Sequence, residues 1–385
     1  MKKVSQNVVF GIIFLIITYV TAVVSNYRII KFYVRDVVIN EDIKNSDHPF
    51  EAAYTANLYG KTEYVDLNGA LHTVLGQREM NDVVKLNNGY LVQTIKPENQ
   101  EQLAGRAQKT AELDRYLKKR GIDFLYVSTP YTVSKYDSQL PAGEKDYGNE
   151  NIDIFLNELN ERNVECLDLR ESMNEEGKGQ YDYFFKTDHH WTTEGGFLAY
   201  KKICEYMQEN LEYKIPKEVM QLESYNIIQY RNLYLGSNGQ RTGYLFNGKD
   251  DFDLIEPKFE TNLIRELDKK EGSFQEVLIN QNPLSPKKPD SKYIYDEVYK
   301  NALGDWENKN SVCDKKILMI CDSMGETVNP YFIVTFSKVK TASAYAPSQK
   351  LSPHFIEEYQ PDLVILMQYP LLLGYDDSFD FGIKN

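Results

Sequence analysis

The distribution of apolar and polar residues along the 385-residue chain predicts one membrane-spanning helix followed by an α/β domain. No residue from Val8 to Val24 is charged, and a run of this length is at the short end of what crosses a bilayer. Lys2 and Lys3 precede it, which favours a cytoplasmic N-terminus. We therefore expect a cytoplasmic tail over 1–7, an uncleaved signal anchor over 8–25 and a polar stalk over 26–60.

A cleaved signal peptide is the alternative interpretation of this run. Such a peptide has a shorter apolar region that ends at a small-x-small cleavage site, and here the run continues past Ala22 through Val23 and Val24 without one. Under either interpretation, the rest of the chain is expected to lie outside the cytoplasm.

Four short apolar segments beyond the stalk predict strands. They span residues 124–130, 164–169, 316–321 and 362–367. Helical patterns cover 97–120, where Gly121 ends the helix, and 152–163. Strands that alternate with helices and are apolar on both faces are typical of a parallel sheet flanked by helices. We expect this α/β domain to occupy residues 61–385.

Two stretches depart from that rhythm. Residues 64–91 contain Asn-Gly pairs at Asn68-Gly69 and Asn88-Gly89, flanked by short β-prone runs, and predict hairpins. Residues 210–314 are rich in Tyr, Asn, Gly and charged residues, and predict an irregular or antiparallel β insertion.

Composition narrows the functional classes. The formal net charge of −13 works against a nucleic-acid partner, because phosphate contacts need clustered Lys and Arg. The four cysteines, Cys166, Cys204, Cys313 and Cys321, form no CxxC pair and no tight cluster with histidine. A disulfide scaffold and a zinc ribbon are therefore disfavoured, and buried free thiols are expected.

The segment Lys186-Thr-Asp-His-His-Trp-Thr-Thr-Glu-Gly195 carries the first candidate chemistry. Thr192 or Thr193 can cap a following helix, so Asp188 and His190 lie in the turn before it. Residues two apart in an extended turn point the same way, which predicts that Asp188 and His190 share one side and His189 faces the other. A carboxylate beside an imidazole fixes its tautomer and stabilises the imidazolium, as a general base requires.

The second candidate is Ser323, in the segment Cys321-Asp-Ser-Met-Gly325 that follows a predicted strand. Sites in parallel α/β sheets lie outside the carboxyl ends of strands, where backbone N–H groups can face a developing oxyanion. The chain thus offers a nucleophile (Ser323), a base (His190) and an orienting carboxylate (Asp188).

Several alternatives stay open at this point. Asp188, His189 and His190 are also a possible metal-ligand set. Trp191 is either a sugar-stacking platform or a core residue that anchors the loop. His354 is a rival base near the last predicted strand. The glycine-rich loop 236–243, which contains Arg241, either approaches the site or is an exposed turn.

Thr187-Asp188-x-His190-Trp191-Thr192-x-x-Gly195 resembles the signature of the SGNH-hydrolase-like sugar O-acetyltransferases of the alginate O-acetyltransferase type. The doubled histidine is closer still to their relatives, the DHHW family. The resemblance implies an SGNH-like, flavodoxin-like α/β fold and a triad of Ser323, His190 and Asp188. It also implies substrate binding by Trp191, His189 and Arg241, without a metal or other cofactor. Cys321 replaces the usual Gly before Asp-Ser, and no Gly-x-Asn-Asp block supplies an oxyanion donor.

The function implied is acyl transfer to hydroxyls of a bacterial cell-surface glycan through an acetyl-Ser intermediate. The implied partners are that glycan, the membrane through the N-terminal helix, and a multipass membrane O-acyltransferase that delivers acetyl groups. A non-catalytic glycan-binding or scaffold component of an envelope complex is the alternative, motivated by Cys321 and the missing Asn block. A metal-dependent phosphoesterase is a third hypothesis.

Overall fold

The computed structural model describes residues 6–32, 34, 58–173, 178–285 and 294–383. Residues 1–5 of the predicted tail, and residues 33 and 35–57 of the predicted stalk, lie outside this part. The helices are α1 Gln6–Phe32, α2 Lys61–Val74, α3 Gln100–Lys118, α4 Gly148–Glu161, α5 Leu169–Ser172, α6 Thr193–Asn210, α7 Ser237–Thr242, α8 Tyr244–Asn247, α9 Phe274–Val277, α10 Ile294–Val298, α11 Asn329–Thr335 and α12 Pro353–Tyr359. Short 3-10 helices join them, among which Ser323–Thr327 bears on the site.

The strands in the described part of the chain form one large sheet and two small ones. They are β1 Glu79–Met80, β2 Val83–Lys85, β3 Leu91–Val92, β4 Asp123–Ser128, β5 Cys166–Asp168, β6 Tyr225–Tyr234, β7 Asp250–Pro257, β8 Leu263–Arg265, β9 Lys270–Gly272, β10 Trp306–Asn308, β11 Cys313–Cys321, β12 Phe336–Ser343 and β13 Leu363–Gln368. The large sheet has the order β5-β4-β13-β11-β12-β10-β8-β9. Its first five strands are parallel and the last three antiparallel.

Both faces of β4, of β13 and of the second half of β11 are buried, which explains their nearly continuous apolar sequences. In β11, Ile317, Met319 and Cys321 pack with helix α6 and the residues of 210–314. The alternate residues Leu318 and Ile320 pack with helices α3, α4 and α12 on the other face. Because α6 covers the first face, the turn that precedes it lies beside the carboxyl end of β11.

The stretch 210–314 joins the main sheet rather than standing apart from it. Strands β6 and β7 form an antiparallel pair, whereas β8, β9 and β10 extend the main sheet from β12. Strand β12 was not predicted. Its polar Ser337, Lys338 and Lys340 are only half-buried, and they interrupt the apolar run that marked the other parallel strands.

The hairpin prediction over 64–91 is wrong at its first Asn-Gly pair, which lies inside helix α2. Helix α2 packs so closely on the domain at Gly69 that no larger residue fits. A Cβ at this position would be 2.2 Å from the carbonyl oxygen of Thr242. The second pair does form a turn, between β2 and β3, and Gly89 has a φ of +90°.

Helix α1 contains the predicted membrane segment and continues beyond residue 25. Within the described residues, Gly11–Lys31 is the one helical stretch long and apolar enough to cross a membrane. Its side chains from Ile12 to Tyr19 are largely exposed, so the folded domain does not use them as core. A helix of this kind is suited to an anchor.

Candidate active site

The turn before helix α6 is held by backbone pairing and by a buried tryptophan. Phe184 and Trp191 form an antiparallel bridge across the turn. Trp191 is fully buried, and its indole Nε1 donates to the carbonyl oxygen of Met324 at 3.0 Å. The Thr192 hydroxyl caps the helix by accepting from the Gly195 N–H at 3.1 Å. The turn is thereby attached to the segment that follows β11.

Asp188, His190 and Ser323 lie in one hydrogen-bonded series. His190 Nδ1 lies 2.5 Å from Asp188 Oδ1, and His190 Nε2 lies 2.7 Å from Ser323 Oγ. With its proton on Nδ1, the ring donates to the carboxylate and accepts from the serine hydroxyl. The geometry is that of a nucleophile, a base and the group that orients the base.

The carboxylate of Asp188 is fully buried and receives several donors. The backbone N–H of His190 donates to it at 3.0 Å and that of Ser237 at 2.5 Å. Burial acts to raise the pKa of Asp188, but His189, His190 and these hydrogen bonds outweigh burial and hold it well below its usual value. The approach of the Ser237 N–H depends on Gly236, where a Cβ would be 2.4 Å from that of Asp188. Asp188 is therefore an ionised carboxylate at neutral pH.

Two buried tyrosines complete the surroundings of the base. The hydroxyl oxygen of Tyr295 lies 2.9 Å from His190 Nδ1, and the two ring centroids are 4.4 Å apart. The hydroxyl of Tyr234 hydrogen-bonds to both Asp188 and Tyr295. Each tyrosine is 1% exposed or less. The two tyrosine hydroxyls thus link the Asp188 carboxylate to the His190 ring, in addition to the direct contact between Asp188 and His190.

Ser323 begins the 3-10 helix at the end of β11 and is half-exposed. Asp322 caps this helix: its Oδ1 accepts from the Met324 N–H at 2.9 Å, and its backbone carbonyl accepts from the Gly325 N–H at 3.0 Å. Oδ2 accepts from the Tyr369 N–H at 2.6 Å, which ties the end of β13 to that of β11. The first amide of a helix has no partner within the helix, so the Ser323 N–H is the local candidate for an oxyanion donor.

His189 does not face away from Asp188 and His190, which corrects the prediction from the sequence. Its ring centroid is 3.9 Å from that of His190, and its Nδ1 lies 3.5 Å from Asp188 Oδ1. The turn is a tight bend rather than extended backbone, so the two-residue alternation does not hold. Ligand atoms of Asp188, His189 and His190 lie within 4.8 Å of one another, so the alternative of a metal-ligand set is geometrically open.

The other predicted substrate-binding residues, Trp191 and Arg241, differ in their exposure. The interpretation of Trp191 as a sugar-stacking platform is wrong, because no face of a fully buried indole is accessible. The loop 236–243 does approach the site, since α7 begins at Ser237, next to Asp188 and with its hydroxyl 3.1 Å from His189 Nδ1. Arg241 lies exposed in the last turn of α7, where its carbonyl accepts from Asn81.

His354 is far more exposed than His190 and pairs with a surface carboxylate. Its side chain is 89% exposed and its Nε2 lies 3.8 Å from Glu358. All four cysteines are free thiols; Cys204, Cys313 and Cys321 are buried and Cys166 is half-buried.

Sequence reasoning missed Tyr234 and Tyr295. Both lie in the predicted insertion, outside any recognisable motif, among 29 tyrosines in the chain. Tyr234 is the last residue of a strand whose middle is exposed, and Tyr295 lies in a five-residue helix. Only the packing of the insertion against the parallel sheet brings them to His190, so no local signal identifies them.

Comparisons with known proteins agree with this fold. Residues 90–232 match the family described as the SGNH hydrolase-like domain of the acetyltransferase AlgX. The structure of Bacillus cereus PatB1 with a sulfonyl adduct superposes with a TM-score of 0.64 at 18% identity, covering 78% of this chain and 98% of that one. A DHHW family protein from Eubacterium siraeum gives 0.60 at 17% identity, with 80% and 97% covered.

The O-acetyltransferase domain of Pseudomonas putida AlgJ superposes with a TM-score of 0.50 at 12% identity, covering 76% of this chain and 92% of that domain. No curated protein sequence matches the chain. The resemblance to the SGNH-like acetyltransferases and the DHHW proteins is confirmed, and so is the SGNH-like α/β fold. Over residues 90–232 the chain is thus similar to the SGNH hydrolase-like domain of these acetyltransferases.

Proposed function

We propose that the chain is a membrane-anchored, extracytoplasmic acetyltransferase that acylates hydroxyls of a cell-surface glycan through an acetyl-Ser323 intermediate. The observation that carries the proposal is the series from Asp188 Oδ1 through His190 to Ser323 Oγ, with separations of 2.5 and 2.7 Å. Its place at the carboxyl end of β11 agrees with where parallel sheets carry their sites.

In the first half-reaction, Ser323 Oγ attacks the acetyl carbonyl as His190 Nε2 takes the hydroxyl proton. The bond from the carbonyl carbon to the leaving alcohol breaks, and that alcohol receives the proton from His190. The negative charge on the carbonyl oxygen is stabilised by the Ser323 N–H. In the second half-reaction, an acceptor hydroxyl gives its proton to His190 and takes the acetyl group, and Ser323 regains its proton.

The acceptor enters from the open side of the triad. His189 is one-third exposed there, and the Tyr369 ring lies 5.6 Å from the ring of His189. In this proposal His189 binds the acceptor, and Arg241 at the far end of α7 contacts a more distant unit of the glycan. The glycan itself is implied by the family that the sequence resembles. Helix α1 anchors the domain beside a multipass O-acyltransferase that supplies acetyl groups.

A non-catalytic glycan-binding role is the second candidate. It is favoured by the way Asp322 engages the Met324 and Gly325 amides, which leaves few backbone donors for an oxyanion. Under that hypothesis the site binds a glycan but does not form an acyl-enzyme.

The test is turnover of 4-methylumbelliferyl acetate by the full chain in detergent, with mass spectrometry of the peptide that contains Ser323. We expect ester turnover and an acetyl group on Ser323, both lost in Ser323→Ala and retained in Ser138→Ala, which changes an exposed serine. Equal turnover in wild type and Ser323→Ala would rule out the proposed nucleophile. A folded wild type that neither turns over ester nor acquires an acetyl group would favour the binding role.

A further inference from the structure

Helix α2 packs on the domain through Asp66 and Gly69, and most of its large apolar residues are exposed to solvent. Tyr64, Leu67, Leu71, Val74 and the capping Leu75 are 48%, 64%, 55%, 83% and 60% exposed. At 3.6 residues per turn these positions fall within an arc of about 100°, so they form one stripe, here called the α2 apolar stripe.

The opposite face of α2 is the one that packs on the domain. Asp66 is buried, and its Oδ1 accepts from the Tyr244 N–H at 2.8 Å. Gly69 lies against the Thr242 carbonyl, as described above. A helix on the surface of a soluble protein has the reverse arrangement, with the apolar stripe inward. A contiguous exposed apolar surface of this kind indicates that something covers it.

The position of α2 relative to α1 indicates what that covering is. The Tyr59 N–H, just before α2, donates to Ser25 Oγ on α1 at 3.0 Å. The Arg28 guanidinium lies 5.6 Å from the centre of the Tyr59 ring. Tyr27 and Ile30 of α1 are also exposed, so apolar surface continues along α1 to the start of α2. The stripe therefore begins beside the end of the candidate membrane span, Gly11–Lys31.

We infer that α2 is an interfacial helix whose apolar stripe lies in the outer surface of the bilayer that α1 crosses. An interfacial helix lies in the membrane plane with its apolar face about 5–10 Å into the boundary between headgroups and acyl chains. Arg28 and Lys31, at the end of α1, meet the headgroups there. This inference rests on the membrane anchor of the proposed function and goes beyond it, because it assigns a second membrane contact to the folded domain.

The proposed contact between α2 and the membrane fixes where the candidate active site lies relative to the bilayer. Gly69 of α2 packs against the end of helix α7, and the first N–H of α7 donates to Asp188. One short helix thus separates the membrane-bound surface from the triad carboxylate. The site is held at a fixed, short height above the bilayer, which suits acyl donors and acceptors presented at the membrane surface rather than distant from it.

The experiment uses the full chain in nanodiscs of phosphatidylcholine and phosphatidylglycerol. Single substitutions Leu71→Cys, Ile16→Cys and Leu267→Cys are labelled with an environment-sensitive NBD fluorophore, and wild type labelled in parallel gives the background from the native thiols. Leu267 is the matched control, an exposed leucine between β8 and β9. Lipids that carry a doxyl quencher in the acyl chain then report which labels reach the bilayer.

We expect the label at 71 to emit in the blue-shifted range and to lose most of its emission to doxyl lipid, whereas the label at 267 keeps nearly all of it. Quenching at 16 establishes the anchor separately. Quenching at 16 without quenching at 71 would overturn the interfacial role of α2 but leave the membrane anchor standing. This holds whether the label at 71 is exposed to water or is covered by a second copy of the chain or by another protein. No quenching at either position would overturn the anchor as well.

Discussion

The two halves of the candidate site differ in how firmly the protein holds them. The buried half consists of Asp188, His190, Tyr234 and Tyr295, each no more than 2% exposed and each hydrogen-bonded to at least one of the others. The open half consists of Ser323, His189 and Tyr369, which are all partly exposed. Under the proposed function, this difference means that the base is preorganised before substrate arrives, whereas recognition is left to side chains that solvent and substrate can reach.

The largest effect is expected in the buried half, from Asp188→Asn. An amide does not fix the same imidazole tautomer and does not stabilise the imidazolium, so kcat for ester turnover should fall by about 10⁴-fold. Steady-state hydrolysis of 4-methylumbelliferyl acetate measures this loss. Asp377→Asn, at an exposed carboxylate, is the control and should retain wild-type turnover. A loss smaller than about tenfold would mean that Asp188 does not orient the base.

The next effect concerns the stability of the folded protein, which depends on Glu326 in the same 3-10 helix as Ser323. Burial, and then Asp296, Asp322 and Asp188, raise the pKa of Glu326 to about 9. The folded state therefore holds a proton that the unfolded chain has lost, and the free energy of unfolding decreases as pH rises from about 4.5 towards 9. Glu326→Gln removes this dependence and should raise the free energy of unfolding by about 5 kcal/mol at pH 8.5, with little change near pH 4.

Chemical denaturation of wild type and Glu326→Gln at several pH values measures this difference. If the free energies of unfolding of the two proteins differ by the same amount at low and high pH, Glu326 is ionised in the folded protein.

A smaller effect is expected from Tyr295→Phe. The change removes the hydroxyl oxygen that lies 2.9 Å from His190 Nδ1 and the partner of Tyr234, but keeps the ring. We expect a loss in kcat of about tenfold and a shift in the pH dependence of kcat, since the hydroxyl acts on the base. Tyr375→Phe, at an exposed tyrosine, is the control. A lower kcat with an unchanged pH profile would assign Tyr295 a packing role only.

The smallest effect on acylation is expected from His189→Ala in the open half. His189 touches the triad but lies outside the series that activates Ser323, so turnover of a small acetyl ester should change by about threefold at most. His354→Ala, at the exposed rival base, should leave turnover unchanged and serves as its control. A loss with His189→Ala as large as that of Asp188→Asn would contradict the division of the site into two halves.

Each half of the site contains residues that the sequence predicts and residues that it does not. Asp188, His190 and Ser323 could be predicted because their positions follow from local rules: a capped turn before a helix, and a polar pair directly after a buried strand. Tyr234 and Tyr295 could not, because the contacts that bring them to His190 arise from packing between distant segments. The orientation of His189 was missed because a tight bend replaced the extended turn.

The fold shows a similar limit. Four parallel strands were predicted from continuous apolar runs, whereas β12 was missed because three of its polar residues are only half-buried beside β10. The Asn68-Gly69 pair predicted a turn, but Gly69 instead permits close packing of α2 on Thr242. In both cases the deciding interaction is with a segment far away in the sequence, which local propensity does not contain.

Activation of Ser323 by His190 can be tested by intact-mass and peptide mass spectrometry of the full chain after reaction with phenylmethylsulfonyl fluoride. We expect one sulfonyl group, on Ser323, that forms in wild type, is absent in Ser323→Ala and forms much more slowly in His190→Ala. Labelling of Ser323 at the same rate in His190→Ala, or labelling of another serine in its place, would show that His190 does not activate Ser323.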